Sequence, residues 1–155
     1  MGERPRLSGM GWAIFFVRWV LGLIFGMAGF WKVFTLGPVG HAQRFFLSGF
    51  SDSWIPVWLL WTLGVTIPFV ELIAGFLVCA GLWLRPALVA LGGVLVLVSY
   101  GHLLQEPLYD TTHHIFPRLV LLVFVLVAPR GEDLLSLDHL RFLRRARRSA
   151  TVAQP

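Results

Sequence analysis

Four long apolar stretches, at about 11–34, 56–83, 86–104 and 113–128, decide what this chain can fold into. A bilayer core is crossed by about 20 mostly apolar residues in a helix, so each stretch is a candidate span. The composition agrees: 57% of the 155 residues are hydrophobic and 14% are charged, against about 45–50% and about 25% in soluble domains. The expectation is an all-α integral membrane bundle of four helices, with residues 1–145 as one four-span domain and 146–155 as a basic flexible tail. Between the stretches stand helix-breaking signals: Gly37-Pro38, the polar run from Gly49 to Pro56, Leu84-Arg85-Pro86, and the segment from Gln105 to Thr112. The second stretch is long enough to tilt, or to begin outside the membrane. A single cysteine, Cys79, excludes an intramolecular disulfide framework and CxxC chemistry.

The first stretch follows a basic N-terminus but is longer than a signal-peptide core and lacks a small-x-small cleavage site, so it reads as a retained span. Four spans place both termini and the turn at Arg85 on one side. That side collects Arg4, Arg6, Arg85, Arg130, Arg141, Arg144, Arg145, Arg147 and Arg148, whereas Lys32 and Arg44 lie near the other. The positive-inside rule makes the arginine-rich side cytoplasmic. The sequence pI of about 10.7 then reports topology and contact with anionic lipid rather than nucleic-acid binding. Leu137, Leu140 and Leu143 among Arg141, Arg144, Arg145 and Arg148 suit a helix lying on the membrane surface, with the arginines as candidate lipid contacts.

Polar and small residues of a span are expected to face its neighbours. In the first span Arg18, Gly22, Gly26, Gly29 and Lys32 form one stripe; in the second Gly64, Pro68, Glu71 and Gly75 do the same. Gly92, Ser99, His102 and Glu106 align in the third, and His114 and Arg118 are one turn apart in the fourth. Counted from the cytoplasmic ends, Arg18 falls roughly 10 Å deep, Arg118 roughly 15 Å, Glu71 roughly 18 Å, and His102 and His114 roughly 20–25 Å. A charge at mid-bilayer requires a partner, so the expectation is a buried Glu71, Arg118, Arg18 cluster. Such a cluster is either a site for a polar headgroup such as a quinone carbonyl, a proton relay, or an ion pair that only fixes helix register. Lys32, at the outer helix end, is expected to snorkel to the headgroups.

His102, His113 and His114 bracket a turn containing Glu106 and Asp110. They can be read as haem or metal ligands, but no HxxxH or ExxH pair is present, and a polar rim at the interface is the preferred reading. No metal site is assigned. The aromatic loop at 35–56, with His41, Arg44, Phe45, Phe46, Phe50 and Trp54, is expected to lie in the interface, with Trp54, Trp58 and Trp61 at headgroup level.

The arrangement resembles the DoxX family. The resemblance rests on Arg18-Trp-Val-Leu-Gly22 running through Ala28-Gly29-Phe-Trp-Lys32, on Glu71-Leu-Ile-Ala-Gly75 leading to Gly81-Leu-Trp-Leu-Arg85-Pro, and on Ser136-Leu137-Asp138 after the fourth stretch. Leu84 stands where the family's turn has threonine. The resemblance implies a four-helix protein of the bacterial inner membrane associated with redox complexes, such as the membrane subunits of a thiosulfate to quinone oxidoreductase. It places Arg18, Lys32, Glu71 and Arg85 at recurrent polar positions. The functional expectation is a redox-associated subunit binding a quinone near Glu71, Arg118 and Arg18, with His102 or His114 exchanging the proton; haem fits less well as a cofactor. The alternative is a noncatalytic accessory subunit of a larger membrane complex. Membrane lipids and other membrane subunits are the expected partners, and the sequence does not decide whether the chain is an enzyme. A transporter is the weakest reading, because no inverted repeat is evident.

Overall fold

The computed structural model describes residues 7–106, 113–129 and 131–152, with side chains only as far as residue 146 in the last segment. Helix α1, Gly9–Phe30, begins at Ser8, whose side chain accepts the amide of Gly11, and continues as a π-helical turn, Trp31–Thr35. Gly37, at φ 78°, reverses the chain into the single turn α2, Pro38–His41, which runs on as π-helical Ala42–Leu47. Helix α3, Val57–Ala80, ends at Gly81 in the left-handed region, and α4, Leu84–Gln105, starts after Trp83, a second left-handed residue. Helices α5, Phe116–Val127, and α6, Leu137–Val152, complete the described chain, whose described residues contain no strand.

Among the described residues three helices are long and apolar enough to cross a membrane: Gly9–Thr35 with 27 residues, Val57–Ala80 with 24 and Leu84–Gln105 with 22. The fourth expected span differs. Helix α5 has 12 residues, about 18 Å of rise, which falls short of a hydrocarbon core of about 30 Å. Residues 113–115 form a turn before it, and Ala128 leaves the helix in an extended conformation.

Helices α1, α3, α4 and α5 form a ring in which each packs against two others. Leu21, Phe25, Val78, Leu88, Leu91 and Leu122 fill its centre. Because α1 is apolar on all sides, hydrophobicity alone cannot orient it; its glycines do. A methyl group on Gly75 would stand 2.6 Å from Gly26 Cα, and one on Gly29 would stand 2.7 Å from Leu72 Cα. These backbones touch, which sets the antiparallel register of α1 on α3. The opposite face of α1 carries Trp12, Phe16, Trp19, Leu23, Met27 and Phe30, all exposed. Such a stripe suits lipid or another membrane subunit.

The loop after α2 does not lie apart from the helices. His41 and Ala42 are buried, and the π-helical turn packs on α3. Gln105 Nε2 donates to Gly49 O at 2.8 Å and ties the loop to the end of α4. Trp54 and Trp58 remain exposed and Trp61 is half-buried.

Candidate functional site: two charged centres spaced along the first span

The first centre is Arg18, 1% exposed on the glycine face of α1. The last carbonyls of a helix lack intrahelical donors, and Arg18 supplies them for α3. Its Nη1 donates to Val78 O at 3.1 Å and to Cys79 O at 2.8 Å, while Nη2 donates to Leu135 O at 3.1 Å. Asp133 is the nearby countercharge: its Oδ2 lies 3.7 Å from Arg18 Nε, too far for a hydrogen bond, and neither carboxyl oxygen has a hydrogen-bond partner. Burial pushes the Asp133 carboxyl above its usual range, and the Arg18 charge opposes that push. The Ser136 hydroxyl gives its proton to the backbone carbonyl of Asp133, at 2.8 Å.

The segment after α5 is thereby fastened to the turn between α3 and α4. Asp138 N donates to Gly81 O at 2.9 Å, and Asp138 Oδ2 accepts from Leu84 N at 3.1 Å, capping the start of α4. Ser8 also bonds Glu132, so the beginning of α1 joins the same end. Beside this clamp opens a cavity of about 690 Å³ whose wall includes Ile14, Leu84, Arg85, Val125, Leu126, Asp133, Asp138, His139 and Phe142.

The second centre lies toward the other end of α1. Lys32 Nζ stands 2.5 Å from Glu71 Oε2, with the Glu71 side chain 6% and the Lys32 side chain 22% exposed. His41 sits nearby with Nδ1 2.6 Å from Gly64 O, which requires the proton on Nδ1. Burial lowers the His41 pKa, the Gly64 bond opposes that, and the Lys32 charge lowers it further. On the outer side of the same helix pair, Phe30 and Phe34 with Leu72, Ile73 and Phe76 form an apolar groove of about 530 Å³.

The helical stripes therefore place Arg18 and Glu71 in the interior, where both are found, but the expected cluster of Glu71, Arg118 and Arg18 does not form. Arg18 and Lys32 are 14 positions apart on one helix, about 21 Å. The glycine contact sets Gly29 on Leu72, so Lys32, one turn further, meets Glu71. Lys32 turns inward instead of snorkelling. Arg118, half-buried, holds its guanidinium 5.9 Å from the centroid of the Phe25 ring. Asp133 is the polar residue that the stripes missed, because it follows the last apolar stretch. A buried arginine's need for a nearby acid is the signal that could have pointed to it.

His102 is half-buried in the last turn of α4, whereas His113, His114 and Glu106 are exposed and Asp110 lies outside the described residues. Among the described residues no three His, Cys, Asp or Glu side chains assemble as a metal site. Arg141, Arg144 and Arg145 are exposed on α6, and the Arg148 side chain lies outside the described residues. Leu137, Leu140 and Leu143 of α6 are exposed as well. No family model, curated protein or solved structure matches the chain.

Proposed function

We propose that this protein is a DoxX-like subunit of a redox complex of the bacterial inner membrane, with four membrane passages, both termini cytoplasmic, and a quinone-class carrier bound beside Lys32 and Glu71. The observation that carries the reading is the ion pair itself. An ammonium and a carboxylate held between two membrane-length helices combine a hydrogen-bond donor for a carbonyl with a group able to exchange its proton. Lys32 has three donors and gives one to Glu71. The aromatic groove at the same depth offers a ring a place against Phe30, Phe34 and Phe76. With α5 too short to cross alone, the fourth passage requires the residues flanking it as well.

The test is quinone content after purification from membranes in a mild detergent, for the wild type and for Glu71→Gln. The variant keeps the shape and removes the charge, so a quinone site loses its bound carrier at least about tenfold while the protein stays folded. Unchanged quinone content in the folded variant overturns the reading. An accessory role is the second reading, favoured by the exposed α1 stripe from Trp12 to Phe30. In that case quinone is absent from wild type and variant alike, and the chain copurifies with a larger enzyme.

A further inference from the structure

Helix α6 belongs to neither charged centre. Its start is fixed, because Asp138 N donates to Gly81 O and Asp138 Oδ2 accepts from Leu84 N. From Leu140 to Ala146, by contrast, every residue is exposed. A 16-residue helix with so little packed against it is marginal in water. Its two sides also differ. His139, Phe142, Leu143 and Ala146 recur at i+3 and i+4 and share one face, on which Phe142 is 67% and Leu143 41% exposed. Arg141, Arg144, Arg145 and Arg148 recur at the same intervals and share the opposite face. Residues 137–152 hold five arginines against a single acid, Asp138, so the helix is strongly positive even with that carboxylate charged.

We propose that α6 docks on the headgroup layer of an anionic bilayer, and that its docking depends on the anionic lipid. Gly81 and Leu84, to which α6 is fastened, lie at the turn between α3 and α4, two helices long enough to cross a membrane. Helix α6 therefore leaves the fold at the level where such helices emerge from the bilayer. Its apolar face offers Phe142 and Leu143 as the large side chains for burial at the acyl boundary, too little area to hold the helix alone. Arginines drawn to negatively charged headgroups complete the attraction, their long stems reaching phosphates from the sides of the helix. A soluble acidic partner or a nucleic acid would match the arginines but leave Phe142 and Leu143 in water. The proposal rests on α3 and α4 crossing a membrane and is independent of the quinone reading.

The full chain is reconstituted in nanodiscs of phosphatidylcholine, with or without phosphatidylglycerol, and amide hydrogen exchange is followed by mass spectrometry. With phosphatidylglycerol, residues 140–152 are expected to exchange about tenfold more slowly than in phosphatidylcholine alone, and high salt is expected to shrink the difference. Equal exchange of α3 in both discs reports that the fold is intact. The variant Arg141→Gln/Arg144→Gln/Arg145→Gln/Arg148→Gln is expected to lose the difference, and Phe142→Gln/Leu143→Gln to lose it as well, since both faces are required. Equal exchange of residues 140–152 in the two discs, or a difference that survives the four-arginine variant, would overturn the proposal. Protection seen in native membranes but not in phosphatidylglycerol discs would also overturn it, and would assign the helix to a protein partner.

Discussion

Arg18 is bound chiefly to carbonyls and only secondarily to its countercharge, which makes two substitutions unequal. Arg18→Met keeps most of the side-chain stem but removes three charged hydrogen bonds, to Val78 O, Cys79 O and Leu135 O, and leaves Asp133 buried without a countercharge. Removing one member of a buried pair costs about 3–5 kcal/mol, and that is the expected destabilisation. Asp133→Asn removes only a 3.7 Å charge contact whose carboxyl oxygens accept no hydrogen bond. Relief from burying a carboxylate offsets much of the lost attraction, so the expected cost is within about 1 kcal/mol. The pH dependence gives an independent check. The Asp133 pKa is raised in the folded protein, so the folded state binds more protons than the unfolded chain, whose aspartate titrates near about 3.9. Its contribution is fully present below that value and is lost as pH rises through the folded pKa. Unfolding in mixed dodecyl sulfate micelles between pH 4 and 8 reads both effects, and the difference between wild type and Asp133→Asn isolates this one carboxyl from the others. If Asp133→Asn costs as much as Arg18→Met, or a double-mutant cycle gives a coupling above about 2 kcal/mol, then the ion pair rather than the carbonyl cap holds this end and the argument fails.

Two further predictions test the helix register and the outer segment. Gly75→Ala places its methyl 2.6 Å from Gly26 Cα and 2.9 Å from Gly22 O, whereas Gly26→Ala meets nothing nearer than 3.7 Å; the first is expected to cost about 3 kcal/mol or more and the second less than about 1 kcal/mol, by the same micelle unfolding assay, and equal costs contradict the register. His41 has a lowered pKa in the folded state, so protonation favours the unfolded chain and stability falls as pH drops below about 6.5. Amide exchange across residues 38–47 is expected to quicken from pH 7.5 to 5.5 beyond the intrinsic change, and His41→Gln to remove the excess; an excess that persists in the variant assigns it elsewhere.

The helical stripes made the inward faces legible because spacing along one helix fixes angular position. They could not give partners, because partners depend on how one helix slides against another. The sliding of α1 on α3 is set by contacts at Gly22, Gly29 and Gly75, where an added methyl would stand only 2.3–2.9 Å from the facing atoms, whereas a depth counted from span ends is fixed only to several ångströms. Depth alone therefore puts Glu71 level with Arg118, whereas the register sets it against Lys32. At α5 the helix is shorter than the apolar stretch for a different reason: the apolar composition extends beyond the residues that are helical, with Pro117 in the first turn and Pro129 just past the end. The Ser136-Leu137-Asp138 block was visible in the sequence, but its work is done through backbone contacts to Gly81 and Leu84, more than fifty residues earlier in the chain.

The distance between the two centres constrains any proton chemistry the quinone reading requires. Between Arg18 and Lys32 the α1–α3 contact is closed at Gly22, Gly29 and Gly75, and the adjoining interior is filled by Leu21, Phe25 and Val78. A water molecule needs at least about 10–15 Å³ and polar partners on several sides, and a contact too tight for one methyl group offers neither. Protons therefore do not pass along this contact from Asp133 to Glu71. Exchange at Glu71 must run through its own end of the molecule, where Lys32 is partly exposed and His41 is close, and the Arg18 centre is left with a holding role: it joins the end of α3 to the segment that carries α6.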